Sequence, residues 1–337
     1  MHPFRFGVQI TGLPLPGWRE RVRWYEELGF SCIHTPDHVE MRQWDPLTTQ
    51  AAVAGVTTSA GLSATVLDIG FYHPLVLARA AATVAPLAAG GYELGLGAGW
   101  MPRDYELAGL QFDRAGVRLE RLEEAVQIIR SLWTNEETTF EGRHYRIDRA
   151  PSVLPLPLPV MPKVLLGATQ PRATRLAAAV ADIVSVFPPT GEQIGWPGWA
   201  ANSRIEHVAQ QMTWAREGAE RAGRDFETLE LSTQIPHTAV ADDPSSLQVF
   251  VAKNTEVTPA AQDESTIFLT GTPTQARERL ERRREATGVS YYVIFDPSFN
   301  YATPEGSPVL PGDSGEGAAE RYFQALSEGV LKPLAGQ

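Results

Sequence analysis

Short runs of β-branched and apolar residues alternate along the chain with longer stretches whose apolar positions recur every three to four residues. The first spacing is that of a buried strand, the second that of a helix with one wet face. Strands are predicted at 4–10, 32–35, 62–67, 92–96, 163–166, 183–186, 229–235 and 291–295. Helices are predicted at 17–28, 47–58, 74–87, 115–133, 171–180, 204–222, 273–287 and 317–328. The helix at 115–133 is the clearest. Leu122, Val126, Ile129 and Trp133 form its apolar stripe, and Glu120, Arg121, Glu123 and Glu124 its solvated side. The segment 138–147 alternates around Glu141-Gly142 and fits a small surface hairpin. The Pro-rich stretch 151–162 cannot be helix interior and reads as a linker or a barrel crossover.

Eight strands, each followed by a helix, is the count that a (β/α)8 TIM barrel requires. A doubly wound sheet also alternates β and α, but its glycine fingerprint after the first strand is not spelled by residues 7–17. The chain therefore reads as one barrel domain over 1–337, with an insertion at about 188–265 and a tail at about 297–337.

Composition narrows the partners. With 43% hydrophobic and 20% charged residues, the 337-residue chain has enough apolar side chains for a large core. Its 29 Lys and Arg against 40 Asp and Glu leave a net charge of −11, which repels phosphate backbones and argues against nucleic acid. The one cysteine, Cys32, cannot form an internal disulfide, and its apolar surroundings suggest a core residue. The opening residues lack a basic stretch followed by a long apolar one, so no secretory signal is expected. The longest uncharged stretch, 46–67, is rich in Thr, Ser and Gly and reads as a helix plus a strand, not a membrane span. A cytoplasmic protein with no membrane partner is expected.

In a barrel the chemistry gathers where strands end and loops begin, at the carboxyl-terminal face. Gln9 ends the first predicted strand, Asp37 and His38 follow the second, and Thr65 and Val66 end the third. Two small turns, Gly97-Ala98-Gly99-Trp100 and Gly167-Ala168-Thr169, each lie between a strand and a helix. Small side chains let backbone N–H groups approach an anion, and the following helix adds a favourable dipole. Such turns also occur with no ligand; two on adjacent strands point to a cofactor bearing phosphate. His38, which can donate or accept a proton near neutral pH, is the acid/base candidate, with Asp37 beside it. Phe187, Trp196 and Trp199 follow the sixth strand and could wall an apolar substrate pocket, although aromatic residues more often serve packing. No metal site is expected, because the seven histidines show no ligand spacing apart from His34 and His38, which flank a strand end. A Gly-x-Ser-x-Gly elbow is absent as well.

The residues that carry these readings also carry a resemblance. Phe6-Gly-Val-Gln9, Thr35-Pro-Asp-His38, His73-Pro74, Gly95-Leu-Gly-Ala-Gly-Trp100, Gly116-Val-Arg-Leu-Glu-Arg-Leu-Glu-Glu124, Leu132-Trp133 and Phe140-Glu-Gly142 stand in an order and spacing that resembles the bacterial luciferase-like monooxygenase superfamily, particularly its coenzyme F420-dependent oxidoreductases. It is dense over 4–187, returns at 271–273 and 289–295, and is poor over 188–265. It implies a barrel that binds a flavin or 5-deazaflavin at its carboxyl-terminal face. The ring would rest on a bulge with a non-prolyl cis peptide near Thr65-Val66, and the two glycine turns would hold phosphate. It also implies a histidine near the reactive carbon, at His38. Relatives usually read Ser-Gly-Gly-Arg where this chain has Ala89-Gly-Gly-Tyr92. Because the net charge is acidic, positive potential for a polyanionic cofactor tail would fall to Arg103 or Arg172.

The reading that joins these lines is hydride transfer between coenzyme F420 and a small organic substrate by a homodimeric enzyme. Its rivals are a monooxygenase that uses reduced FMN and a barrel that binds a ligand without catalysis.

Overall fold

The computed structural model describes residues 2–13, 16–41, 43–189, 195–296 and 318–337. Its centre is a closed parallel sheet. β1 (Arg5–Gln9) pairs with β2 (Cys32–Thr35), β2 with β3 (Gly61–Ala64), and β3 with β5 (Tyr92–Gly97), which also takes the short β4 (Leu67–Asp68). From β5 the order continues through β8 (Lys163–Ala168), β9 (Ile183–Val186), β10 (Glu230–Ile235) and β13 (Tyr291–Phe295), and β13 returns to β1. β3 and β4 are two pieces of one stave, so the ring is a closed 8-strand (β/α)8 TIM barrel. Outside it lie the antiparallel hairpin β6 (Glu137–Glu141) and β7 (Arg146–Pro151), and a parallel pair, β11 (His237–Val240) and β12 (Phe268–Gly271).

Parallel strands covered by helices are buried on both faces, which is why they read as nearly continuous apolar runs. β2, β3, β5 and β9 are buried throughout. The covering helices include α1 (Trp18–Glu27), α2 (Pro46–Ala54), α3 (Pro74–Val84), α4 (Pro102–Ala108), α5 (Ala115–Thr134), α6 (Pro171–Val180), α7 (Gly195–Ala201) and α8 (Ile205–Arg221). Further along stand α9 (Ser245–Thr255), α10 (Pro259–Glu264), α11 (Pro273–Thr287) and a C-terminal helix, Ala318–Leu326. Proline at the first turn starts several of them, where its missing N–H is no loss. Asp45 caps α2 by accepting from the Thr48 N–H at 2.7 Å, and Thr272 with Gln275 forms a capping box on α11. The stripe read on α5 is the face that packs on α3. There Trp133 is fully buried, and its indole N–H donates to the Ala78 carbonyl at 2.9 Å.

Two expectations change in detail. The third strand breaks in two around the peptide between Thr65 and Val66, which is cis. The span 188–265 is not wholly an insertion, because α8 and β10 within it belong to the barrel; among the described residues α7, β11, α9 and α10 are additional. Of the expected tail, residues 297–317 lie outside the described residues. Tyr92 stands at the amino-terminal end of β5, opposite the mouth, and its hydroxyl donates to Gln50 Oε1 at 2.5 Å beneath α2. Gln50 in turn donates to Thr35 Oγ1 at 2.7 Å and to the Ser63 carbonyl at 3.0 Å, which links Tyr92 to the last residue of β2.

Candidate active site

The carboxyl-terminal ends of the strands converge on His38. It lies in the β2–α2 loop, half-buried, with Nδ1 2.7 Å from Asp104 Oδ2. Asp104 is buried at the start of α4, and its other oxygen accepts the Glu40 N–H at 2.8 Å. A carboxylate can only accept, so Nδ1 carries the proton of the neutral ring and Nε2 is left as the basic nitrogen. The carboxylate bonded to His38 is thus Asp104, and not its neighbour Asp37. The sequence held no local signal for this pair, since one residue lies in a loop and the other in a helix 66 positions away.

Asp37 turns elsewhere. Its Oδ2 accepts the Asp68 N–H at 3.0 Å, and burial pushes its carboxyl up to about 6 against the pull of that bond and of the Tyr72 hydroxyl. Asp68 is raised as well, again by burial, although the Tyr105 hydroxyl and the Gly70 N–H donate to its Oδ1 at 2.7 and 2.8 Å. Gly99, with φ at +76°, passes so close to this group that a Cβ there would stand 2.3 Å from Asp68 Oδ2. The first glycine turn is therefore packed against a carboxylate as well as open to the mouth.

The other two glycines have a shared reason. Val66 projects between β5 and β8, and a Cβ at Gly97 or Gly167 would come within 2.5 or 3.2 Å of its Cγ2. Small residues at 97 and 167 thus make room for Val66, an explanation that phosphate approach does not supply. Ala98 is tied by its carbonyl to Arg118 Nε at 3.0 Å. Thr169 and Phe187 offer their carbonyls to the same amide, Gln211 Nε2, at 3.1 and 3.0 Å, which fastens the ends of β8 and β9 together. Ala168 is buried beside them. Of the expected cations, Arg103 pairs with Glu106 at 3.0 Å and Arg172 lies 3.6 Å from Glu120.

An aromatic wall runs from His38. Trp100 meets it edge to face at 5.6 Å, and Trp199 meets Trp100 in turn at 6.1 Å. Phe187 and Trp196 both stand edge-on to Trp199, at 6.2 and 4.6 Å. Val39, Met41 and Trp44, in the loop after His38, are exposed. Several polar atoms at this end are buried without a hydrogen-bond partner: Gln9 Oε1, Ser185 Oγ and Trp199 Nε1. Leaving such groups unmade costs about 1–3 kcal/mol each, so they mark places where a bound molecule would be stabilised. Thr65 is also buried here, but its hydroxyl is engaged by His34 Nδ1 at 2.6 Å.

Among the described residues, Cys32, His34 and Glu93 bring three metal-ligand atoms within 4.8 Å of one another inside the barrel. Both ring nitrogens of His34 are already committed, to Thr65 and Tyr291, and Glu93 is paired with Arg5. Burial holds the Cys32 thiol well above its ordinary range, as fits a core residue.

Known proteins share this frame. A family model described as luciferase-like monooxygenase matches residues 1–257. An F420-dependent glucose-6-phosphate dehydrogenase of Nakamurella multipartita is 32% identical over 212 residues, covering 61% of this chain and 58% of that protein. An F420-dependent hydroxymycolic acid dehydrogenase of Mycobacterium tuberculosis is 29% identical over 228 residues, covering 66% of this chain and 58% of that protein. The chain thus spans less than two thirds of the length of either relative. The crystal structure of monooxygenase RslO1 from Streptomyces bottropensis superposes with a TM-score of 0.73 at 21% identity, over 98% of this chain and 100% of that one.

Proposed function

The chain belongs to the luciferase-like monooxygenase family, and on that footing we propose that it is an oxidoreductase moving a hydride between coenzyme F420 and a small apolar organic substrate. The observation that carries the reading is the His38–Asp104 pair, set beside an aromatic wall and buried polar atoms that lack partners. F420-dependence of the two dehydrogenases similar to it supports the choice of cofactor.

The residues fit such a group by one test of their own. Gln9 Oε1 is buried at the end of β1 with nothing to accept from, the kind of atom that a ring N–H satisfies. Gln9, Thr65 and Val66 would meet the ring, and the turns 97–100 and 167–169 would hold the phosphate through backbone N–H groups. Coenzyme F420, when bound, supplies the hydride acceptor or donor. The protein's part is to bind, orient and manage one proton. For an alcohol substrate, His38 Nε2 takes the hydroxyl proton as the carbon loses its hydride; in reverse, it returns that proton to the carbonyl oxygen. Asp104 fixes the ring and offsets the positive charge that the imidazole gains, while Asp37 feels His38 only through space and makes no hydrogen bond to it. Trp100, Trp199, Trp196 and Phe187 exclude water and favour an apolar substrate over a charged one.

We read the chain further as a single barrel domain and a cytoplasmic homodimer. Val76 on α3 and Leu87 just beyond it are exposed, which supports pairing through the Ala-rich helices α2 and α3. No described helix is long and apolar enough to cross a membrane.

Fluorescence titration of the purified protein with F420 and with FMN tests the cofactor. Saturable F420 binding is the expected result. Saturable FMN binding with no response to F420 would replace this reading with the monooxygenase one, and inactivity with both would favour a non-catalytic binder.

A further inference from the structure

Beneath the mouth, the barrel interior holds a continuous hydrogen-bonded column that the proposed chemistry does not use. Thr65 Oγ1 lies 2.6 Å from His34 Nδ1, His34 Nε2 lies 2.5 Å from the Tyr291 hydroxyl, and that hydroxyl lies 3.2 Å from Glu93 Oε2. Glu93 Oε1 accepts from Arg5 Nη2 at 2.7 Å, and Arg5 Nη1 donates to both oxygens of Glu230 at 2.8 and 2.7 Å. His34, Tyr291 and Glu93 are buried, and the Arg5 guanidinium lies 4.1 Å over the Tyr291 ring. Position 7 is glycine because a Cβ there would stand 2.7 Å from His34 Nε2. The strands were thus shaped around this column.

Its lower end favours one direction. Arg5 can only donate, and in its ion pair with Glu93 the carboxylate oxygens are acceptors. Tyr291 donates to Glu93 Oε2, which the Cys32 thiol also meets at 3.9 Å; were Tyr291 to donate to His34 instead, two oxygen lone pairs would face each other at 3.2 Å. Tyr291 keeps its proton, since burial raises it well above its ordinary range. With the hydroxyl proton spent on Glu93, its oxygen accepts from His34 Nε2–H. His34 is neutral, pushed down to about 3 by burial and by Arg5, so one proton on Nε2 leaves Nδ1 bare. Nδ1 then accepts from Thr65.

We propose that the Arg5–Glu93 ion pair at the closed end sets the direction of every hydrogen bond in this column, so that His34 is held as its Nε2–H tautomer and the Thr65 hydroxyl meets a bound ring as an acceptor. This rests on the reading that a cofactor ring occupies the mouth. His34 and Tyr291 are positioning residues: neither touches the ring, and both decide what Thr65 offers it. The arrangement favours a ring edge that presents an N–H at Thr65 over one that presents only a carbonyl, because two acceptors there would repel.

The test begins without any cofactor. Side-chain ¹⁵N NMR of the full-length wild-type protein, with the His34 ring assigned through its own backbone correlations, reports the tautomer directly. The expected result is a neutral Nε2–H ring; an Nδ1–H or doubly protonated ring overturns the proposal whatever the cofactor proves to be. Tyr291→Phe removes one oxygen and keeps the ring. It is expected to release the tautomer preference and weaken F420 binding by about fivefold. Thr65→Val should weaken F420 binding by a similar factor, and Thr65→Ser should restore it. Unchanged tautomer and affinity in Tyr291→Phe would contradict the column. Loss of F420 binding by wild type itself would sink the cofactor reading and leave the tautomer result standing.

Discussion

The two ends of the barrel interior handle polarity in opposite ways. At the closed end, Arg5 is shared between Glu93 and Glu230, with Lys163 a further 3.9 Å from Glu230. The charged groups there answer one another, although the hydroxyl of Ser290 beside them is buried without a partner. At the mouth, Gln9 Oε1 and Ser185 Oγ are buried without partners, and Asp37 and Asp68 are carboxylates that burial makes reluctant to ionise. A satisfied buried network stabilises and rigidifies, whereas an unsatisfied one costs stability and persists where something else completes it. The contrast separates scaffold from site inside a single strand: β1 starts with Arg5 in the first and ends with Gln9 in the second.

The comparison can be broken at either end. The largest effect is expected at the mouth, on chemistry. His38→Asn should lower turnover by about 10²–10⁴-fold with little change in unfolding, because it removes a proton-transfer group and not a packed one. Unchanged steady-state rates would remove His38 from the mechanism. At the closed end, Glu93→Ala leaves Arg5 with Glu230 alone and Tyr291 without its carboxylate. A loss of about 3 kcal/mol is expected in urea unfolding.

Asp37→Asn gives a change of the opposite sign. The folded protein holds the Asp37 carboxyl up to about 6, above its ordinary 3.8, so it binds this proton more tightly than the unfolded chain does. Wild type therefore loses stability as pH rises through 4–6, and the loss is complete above that window. Asn at this position should stabilise by up to about 2 kcal/mol at pH 7–8 and by nothing near pH 3.5, as thermal melts at the two pH values would show. A stabilisation equal at both would show that ionisation is not its source. The smallest effect is the most discriminating. Gln9→Leu should raise stability by about 1 kcal/mol, since an unpartnered oxygen is replaced by carbon, but should weaken F420 binding about tenfold. A large stability loss would instead mark Gln9 as scaffold.

Much of the scaffold was legible from periodicity. The bounds of β2, β9, β13, α6 and α11 agree with the pattern residue for residue, because buried parallel strands and Pro-started helices announce themselves locally. α4 was not read: it is a seven-residue helix of mixed polarity with no stripe to betray it. Missing α4 meant missing Asp104, the residue that holds His38. The column was hidden for another reason. Arg5, Glu93 and Glu230 each stand at or next to the start of a strand that is otherwise uncharged, and their partners come from other staves. A charge recurring at the amino-terminal end of three strands is a signal of a closed-end ion network, readable once the strands are aligned. The glycines at 97 and 167 were legible as small but not for their cause, since Val66 reaches them only through the fold.

The measurement that bears most directly on the account is a crystal structure of the protein with F420 bound. The account predicts the deazaflavin ring at the mouth, within hydrogen-bond distance of Gln9 and Thr65, beside His38. A ring bound elsewhere, or one at the mouth that leaves Gln9 Oε1 without a partner, would contradict it.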